Sequence, residues 1–260
     1  MIPTGNICRA AHAETLILIH GLSEERHVWA RQADDLMRDF DVLAYDVRGF
    51  GASPTGDGNG TVEQLADDLA QIVSALGCAP VWLVGFSMGG VIAQRFALDF
   101  PDRVKGLVLI ASSCTVGKAG VAFFEDRIRQ VTAGGIEALR ELSQTDSRGC
   151  LAPGHDELAE EYRVLRTAAV RDPAGYLNAC HAMLRLNAHP MAQELGRIDR
   201  STLVIAGELD PYCPPRASEA IAAAIPDAEL EVFENTGHCL HWEQPERTNR
   251  SIRNFVLAHG

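Results

Sequence analysis

The sequence predicts an α/β protein: a doubly wound, mostly parallel sheet with a helical cap inserted between two of its strands. Three observations predict it. Six short runs are apolar, amphipathic stretches alternate with them, and one long segment, residues 112–196, has helical spacing and no convincing strand. Continuous apolar character means burial on both faces, the condition of strands inside a parallel sheet. The order strand, helix, strand, helix is what double winding requires.

Size and composition set the outer limits. At 260 residues the chain suits one sizeable α/β domain with an insertion. Apolar residues make up 47% and charged ones 22%, the balance of a soluble globular protein. A formal charge of −12 argues against nucleic acid or an anionic membrane as partner and says little about the substrate, which is expected to be a small molecule on other grounds. No stretch approaches the roughly 20 apolar residues of a membrane span. The run at 15–19 is also too short for a signal-peptide core. The seven cysteines are scattered, odd in number and without a C-x-x-C pair, so a cytoplasmic protein without a disulfide framework is expected.

Taken in order, the first clear strand is "TLILI" (15–19), followed by "DVLAYD" (41–46). Residues 61–77 read as a helix. Val62, Leu65, Leu69, Ile72, Val73 and Leu76 share its apolar face, Thr61 and Gln64 take capping-box positions, and Gly77 stops it. "VWLVG" (81–85) and "VKGLVLIA" (104–111) are the next strands. Within 112–196, Phe124, Ile128 and Val131 form one helical stripe, and Leu158, Tyr162, Leu165 and Ala169 another. A third joins Tyr176, Cys180, Met183 and Leu184, and Gly134-Gly135, Pro153-Gly154 and Pro173 separate the three. Strands resume at "TLVIAG" (202–207) and "ELEVF" (229–233), and a helix over 245–257 closes the chain. The expected division is a core of residues 1–111 and 197–260 with a cap of residues 112–196 above the carboxyl edge of the sheet.

Chemistry enters at Gly85-Phe86-Ser87-Met88-Gly89, which fits G-x-S-x-G between a buried strand and an apolar helix. A serine on so sharp a turn has a strained backbone, and its close neighbours must lack side chains. The turn leaves the Ser87 hydroxyl at a helix N-terminus, where free N–H groups favour developing negative charge. A serine nucleophile needs a base, itself oriented by an acid, and in this sheet class the order is Ser, then Asp or Glu, then His. Asp210 sits just past the strand "TLVIAG", with Glu208 as its rival. His238 follows Gly237 in the loop after "ELEVF", with His241 as its rival. The glycine-flanked loop position favours His238 as base and Asp210 as its partner. An oxyanion hole would take the backbone N–H of Met88 and that of Leu22, in the loop "LIHGLS". His20 reads as a buried, hydrogen-bonded loop residue. The histidines lack H-E-x-x-H or Cys/His ligand spacing, and no phosphate-cradling G-x-G-x-x-G follows a strand. Neither metal nor cofactor is expected.

These motifs, with "DVLAYDVRGFGAS" (41–53), "FPDRVKGLVLI" (100–110) and "WEQPERTN" (242–249), resemble the α/β-hydrolase fold superfamily nearly end to end. Within it, "GFSMGGVIAQRFAL", "RIRQVTAGGIEAL" (127–139), "DPAGYLNACHAML" (172–184) and "LVIAGELDPYCPP" (203–215) are most similar to the 3-oxoadipate enol-lactonase group. The resemblance implies cofactor-free cleavage of a lactone or ester in aromatic-compound breakdown. Fourteen residues precede the first clear strand, so that group's leading hairpin is expected to be truncated or absent. The cap would roof the pocket through Phe123, Phe124, Arg127, Tyr176, His181 and Leu184, and Arg127 would bind a substrate carboxylate. Phe86 beside the nucleophile and Trp242 near the base complete the substrate-contact candidates. Competing readings are carbon–carbon hydrolysis of a ring-fission diketone, a cofactor-free perhydrolase or general carboxylesterase, and a ligand-sensing receptor on the same scaffold.

Overall fold

The computed structural model describes residues 5–8 and 14–260. Through them runs a seven-stranded sheet in the spatial order β1 (Gly5–Cys8), β3 (Asp41–Tyr45), β2 (Thr15–Ile19), β4 (Val81–Phe86), β5 (Val104–Ile110), β6 (Ser201–Gly207) and β7 (Glu229–Phe233). β1 is antiparallel to β3, and every other pair is parallel. The leading hairpin, expected to be truncated or absent, is not wholly absent, since one strand, β1, pairs there from Gly5↔Tyr45 to Cys8↔Val42. An edge strand held by backbone bonds to a single neighbour needs no continuous apolar run, so its sequence carries no such mark.

The uninterrupted runs divide between the two faces, because successive side chains of a strand point opposite ways. Ile17, Ile19, Leu83 and Leu107 join one core with α2 (Val62–Leu76), α3 (Met88–Asp99) and Ile221 of α7 (Pro215–Ala224). Leu16, Leu18, Trp82 and Val84 join a second core with Leu36 of α1 (Ala30–Leu36) and with Ile252, Phe255 and Val256 of α9 (Pro245–His259). Each such side chain contributes about 1.5–3 kcal/mol on burial, so neither face could be left uncovered. α2 is bounded as its sequence dictates. The Thr61 hydroxyl accepts the Gln64 N–H at 3.2 Å, and Gly77 ends the helix in the left-handed region at φ 67°.

Between β5 and β6 lie α4 (Lys118–Gly149), α5 (Asp156–Ala169) and α6 (Pro173–Arg185). α4 is broken at Gly135, whose φ of 59° and ψ of −139° glycine adopts without the strain that a side chain would bring. A straight helix would hold Arg127 and Asp146 about 28 Å apart, yet Arg127 Nη2 lies 2.6 Å from Asp146 Oδ1. The chain therefore doubles back at Gly135. Among the described residues no helix is long and apolar enough to cross a membrane.

Strand order also decides where a site can form. From β2 the chain steps outward to β3, and from β4 it steps the other way through β5, β6 and β7. The connections leaving β2 and β4 therefore run in opposite directions, and the carboxyl edge at such a point is the usual ligand position in sheets of this kind.

Candidate active site

Ser87 occupies the sharp turn between β4 and α3, with φ 52° and ψ −116°. A residue with a side chain held so costs on the order of 1–3 kcal/mol, which the surrounding structure must supply. The flanking glycines make the turn possible. A Cβ on Gly85 would lie 2.5 Å from the Gly89 carbonyl oxygen, and one on Gly89 would overlap the carbonyl of Ile19. Ser112 Oγ donates to the Ser87 carbonyl at 2.9 Å and holds the turn from β5's side.

The loops after β6 and β7 converge on the serine. Asp210 is buried, and its Oδ1 accepts the N–H groups of Tyr212 (2.8 Å) and Cys213 (2.9 Å). Its Oδ2 lies 2.7 Å from His238 Nδ1. With Nδ1–H donating there, His238 Nε2 is left as an acceptor, 3.1 Å from Ser87 Oγ. Burial works against protonation of His238, but the charge and hydrogen bond of Asp210, helped by the nearby Cys150 and Glu24, outweigh it, so its pKa is raised above the usual imidazole value. The rivals go elsewhere. Glu208 is exposed and accepts the Asn235 N–H at 2.8 Å. His241 is wedged between Phe86 and Trp29, with ring centroids 4.4 and 4.9 Å away. Neither of its ring nitrogens has a partner among the described residues. Burial, then the His238 charge, push its pKa down to about 3.

The loop carrying His238 is braced from the inserted helices. Cys239 N–H donates to the Cys150 carbonyl at 2.9 Å, and a Cβ on Gly237 would lie 2.7 Å from Ala152 N. Gly237 N–H donates to Glu243 Oε1 at 2.9 Å, on the short helix α8 (Leu240–Glu243) that follows. Phe86 packs against the His238 ring, with centroids 4.9 Å apart and planes tilted by 49°.

β2 and β4 are parallel neighbours with Ile19 opposite Gly85, so the loop after β2 arrives level with Ser87. That loop carries Leu22, and Met88 opens α3. The first N–H groups of a helix have no intrahelical acceptor. Neither the Leu22 nor the Met88 amide donates to another group among the described residues. His20 is fully buried; its Nε2 accepts the Val47 N–H at 2.9 Å, so Nδ1 carries the proton and donates to the Gly21 carbonyl at 2.8 Å. Burial lowers its pKa to about 4, against that hydrogen bond and the Asp46 charge.

The remaining candidates scatter. Arg127 does not stand free for a substrate carboxylate: it bridges Asp126 (2.9 Å) and Asp146 (2.6 Å) and lies over the Phe123 ring. The reversal at Gly135, which the spacing of apolar residues does not reveal, delivers Asp146 to it. Trp242 donates its indole N–H to the Val28 carbonyl at 3.0 Å and packs on Tyr162. Tyr176 is buried in the core with α2 and α3, and Phe124 packs against the same core. His181 is exposed and sits against Gly60. None of these five makes a hydrogen bond, ion pair or ring contact with Ser87 or His238 among the described residues. Tyr212 does, its ring 5.2 Å from that of His238 and 6.0 Å from Phe123. Its place two residues after Asp210 was the signal that could have found it. Among the described residues no cluster of three or more histidine, cysteine or carboxylate side chains could hold a metal ion.

A family model for the alpha/beta hydrolase fold matches residues 14–245. The chain belongs to that family and is a hydrolase of the α/β fold. It is similar to 3-oxoadipate enol-lactonase 2 of Acinetobacter baylyi, 28% identical over 93% of this chain and 88% of the relative, and so resembles the enol-lactonase-like group. It is also 30% identical, over 95% of this chain and 92% of the relative, to RutD of Enterobacter cloacae, provisionally named a carbamate hydrolase. The solved structure of a thermophilic esterase from Thermogutta terrifontis, with malate bound, superposes with a TM-score of 0.86. There the identity is 27%, over 98% of this chain and 94% of the other.

Proposed function

We propose that this chain is a serine hydrolase that cleaves a carboxylic ester or lactone through an acyl-enzyme. One observation carries the reading: Asp210, His238 and Ser87 form a continuous relay, 2.7 and 3.1 Å long, ending on a serine in a strained turn. His238 takes the Ser87 proton as Ser87 Oγ attacks the carbonyl carbon, and Asp210 stabilises the imidazolium. The Leu22 and Met88 N–H groups receive the oxyanion. His238 then returns the proton to the departing alcohol or enol oxygen, and water activated by the same histidine clears the acyl group from Ser87.

In this reading residues 112–196 form a cap over a core of residues 1–111 and 197–260, and the substrate is a small molecule. The scattered cysteines, odd in number and without a C-x-x-C pair, support a reducing, cytoplasmic setting. Arg127, already matched by two carboxylates, takes no part in substrate binding. A second reading rests on the RutD likeness: the same relay attacking a carbamate.

Ser87→Ala is expected to lower kcat toward an aryl ester by a factor on the order of 10³ to 10⁶ with the thermal melt unchanged. Mass spectrometry of the quenched wild type should find the acyl group on the peptide bearing Ser87. Full activity in Ser87→Ala overturns the nucleophile assignment. Relative kcat/KM for enol-lactones, aryl esters, carbamates and ring-fission diketones decides the substrate class.

A further inference from the structure

We infer that Glu24, clamped by Tyr162 of the inserted helix α5, is a positioning residue that aims the Leu22 amide of the oxyanion hole. The inference rests on the serine-hydrolase reading above and deepens it, by making half of the oxyanion hole depend on the docking of an inserted helix.

The loop after β2 has little to hold it except what its neighbours donate. It leaves the sheet at His20 and turns through Ser23, a non-glycine residue at φ 62°. Three hydrogen bonds fix the peptide that carries the Leu22 N–H and the peptide on either side of it. His20 Nδ1–H grips the Gly21 carbonyl at 2.8 Å. Glu24 Oε2 accepts the Gly21 N–H at 2.7 Å. Arg166 Nη2 reaches the Leu22 carbonyl at 3.4 Å. The Gly21 carbonyl and the Leu22 N–H belong to one peptide plane, so holding the groups around that plane orients the N–H.

Of these anchors Glu24 is the hub. It is 1% exposed, and its second oxygen, Oε1, accepts the Tyr162 hydroxyl, a contact made across 138 positions of sequence. Tyr162 and Arg166 are one helical turn apart, so both meet the loop from the same face of α5. A buried carboxylate is tolerated when its oxygens are hydrogen-bonded and a cation lies close. Burial raises the Glu24 pKa, opposed by the Tyr162 hydrogen bond, the Arg166 charge and the Gly21 N–H. Such a group is an expensive way to fill core space. It becomes intelligible when its geometry is needed, because misplacing a donor by about 1 Å can cost about 10²-fold in rate.

The test compares Glu24→Ala, Glu24→Gln and Tyr162→Phe with the wild type, using an aryl ester and a trifluoromethyl ketone inhibitor whose serine adduct carries an oxyanion. Glu24→Ala should lower kcat by about 10- to 100-fold with KM little changed, and weaken the ketone by a similar factor. Glu24→Gln retains an acceptor for Gly21 N–H and a group able to bond Tyr162, so it should recover most of the lost kcat. Tyr162→Phe should move kcat and ketone affinity in the same direction by a smaller factor. If Glu24→Ala does not melt cooperatively, Tyr162→Phe and Glu24→Gln decide by the same split. A loss shared equally by kcat and KM, an unchanged ketone affinity, or a Gln variant no better than Ala would overturn the inference. A wild type that the ketone does not inhibit and never labels at Ser87 would instead bring down the underlying serine mechanism.

Discussion

His238 is the residue at which opposed forces are most finely set. Burial favours its neutral form and Asp210 its charged form, and Asp210 prevails, so the imidazole holds its proton to a higher pH than a free histidine. A general base works only when neutral, so kcat/KM should fall as pH drops through an apparent pKa above about 6.5. In Asp210→Asn the nearest opposing charge is gone and only the weaker influence of Cys150 and Glu24 is left against burial, which moves that limb downward, while kcat drops by about 10⁴-fold. Rate profiles of both proteins check this, and a limb that stays in place would remove Asp210 from its assigned role. These residues differ in how well their chain position announces them. Ser87 stands in a local pattern whose glycines have a steric reason. His238 and His241 are three apart and both in reach on paper; only packing sends one ring to Ser87 and the other between Phe86 and Trp29. Glu24 and Tyr162 carry no local mark, because their meaning lies in a contact between distant segments.

α4 is the element whose course is least evident from its residues. Gly134-Gly135 reads correctly as an interruption, but nothing in the pattern says that the chain reverses there. Gly135→Ala puts a side chain where φ is 59° and ψ −139°, so it should cost about 1–3 kcal/mol in urea denaturation. The damage should fall on the Arg127–Asp146 pair, and a variant as stable as the wild type would mean that the two halves hold their reversal without the turn. β1 shows the opposite failure: an edge strand defined by backbone pairing has no apolar signature to read. α2 was legible throughout, since its cap, its stripe and its terminating glycine each act within a few residues.

At the scale of the whole molecule, the sheet was readable because burial on two faces forces long apolar runs, and double winding follows from their alternation with helices. The charge of −12 acts at this scale too. Self-repulsion of like charges opposes the compact state and is screened by salt, so Tm should rise between about 10 and about 150 mM sodium chloride. A Tm that falls would mean that attractive ion pairs dominate, as between Arg253 and Asp39. The bracing of the His238 loop by Cys150 and Ala152 bears on how such a hydrolase can diversify. Evolution, or a protein engineer, can exchange parts of the segment between β5 and β6 to suit a new substrate. Any graft must keep the stretch around residues 150–152, between α4 and α5, since the loop that carries His238 leans on it.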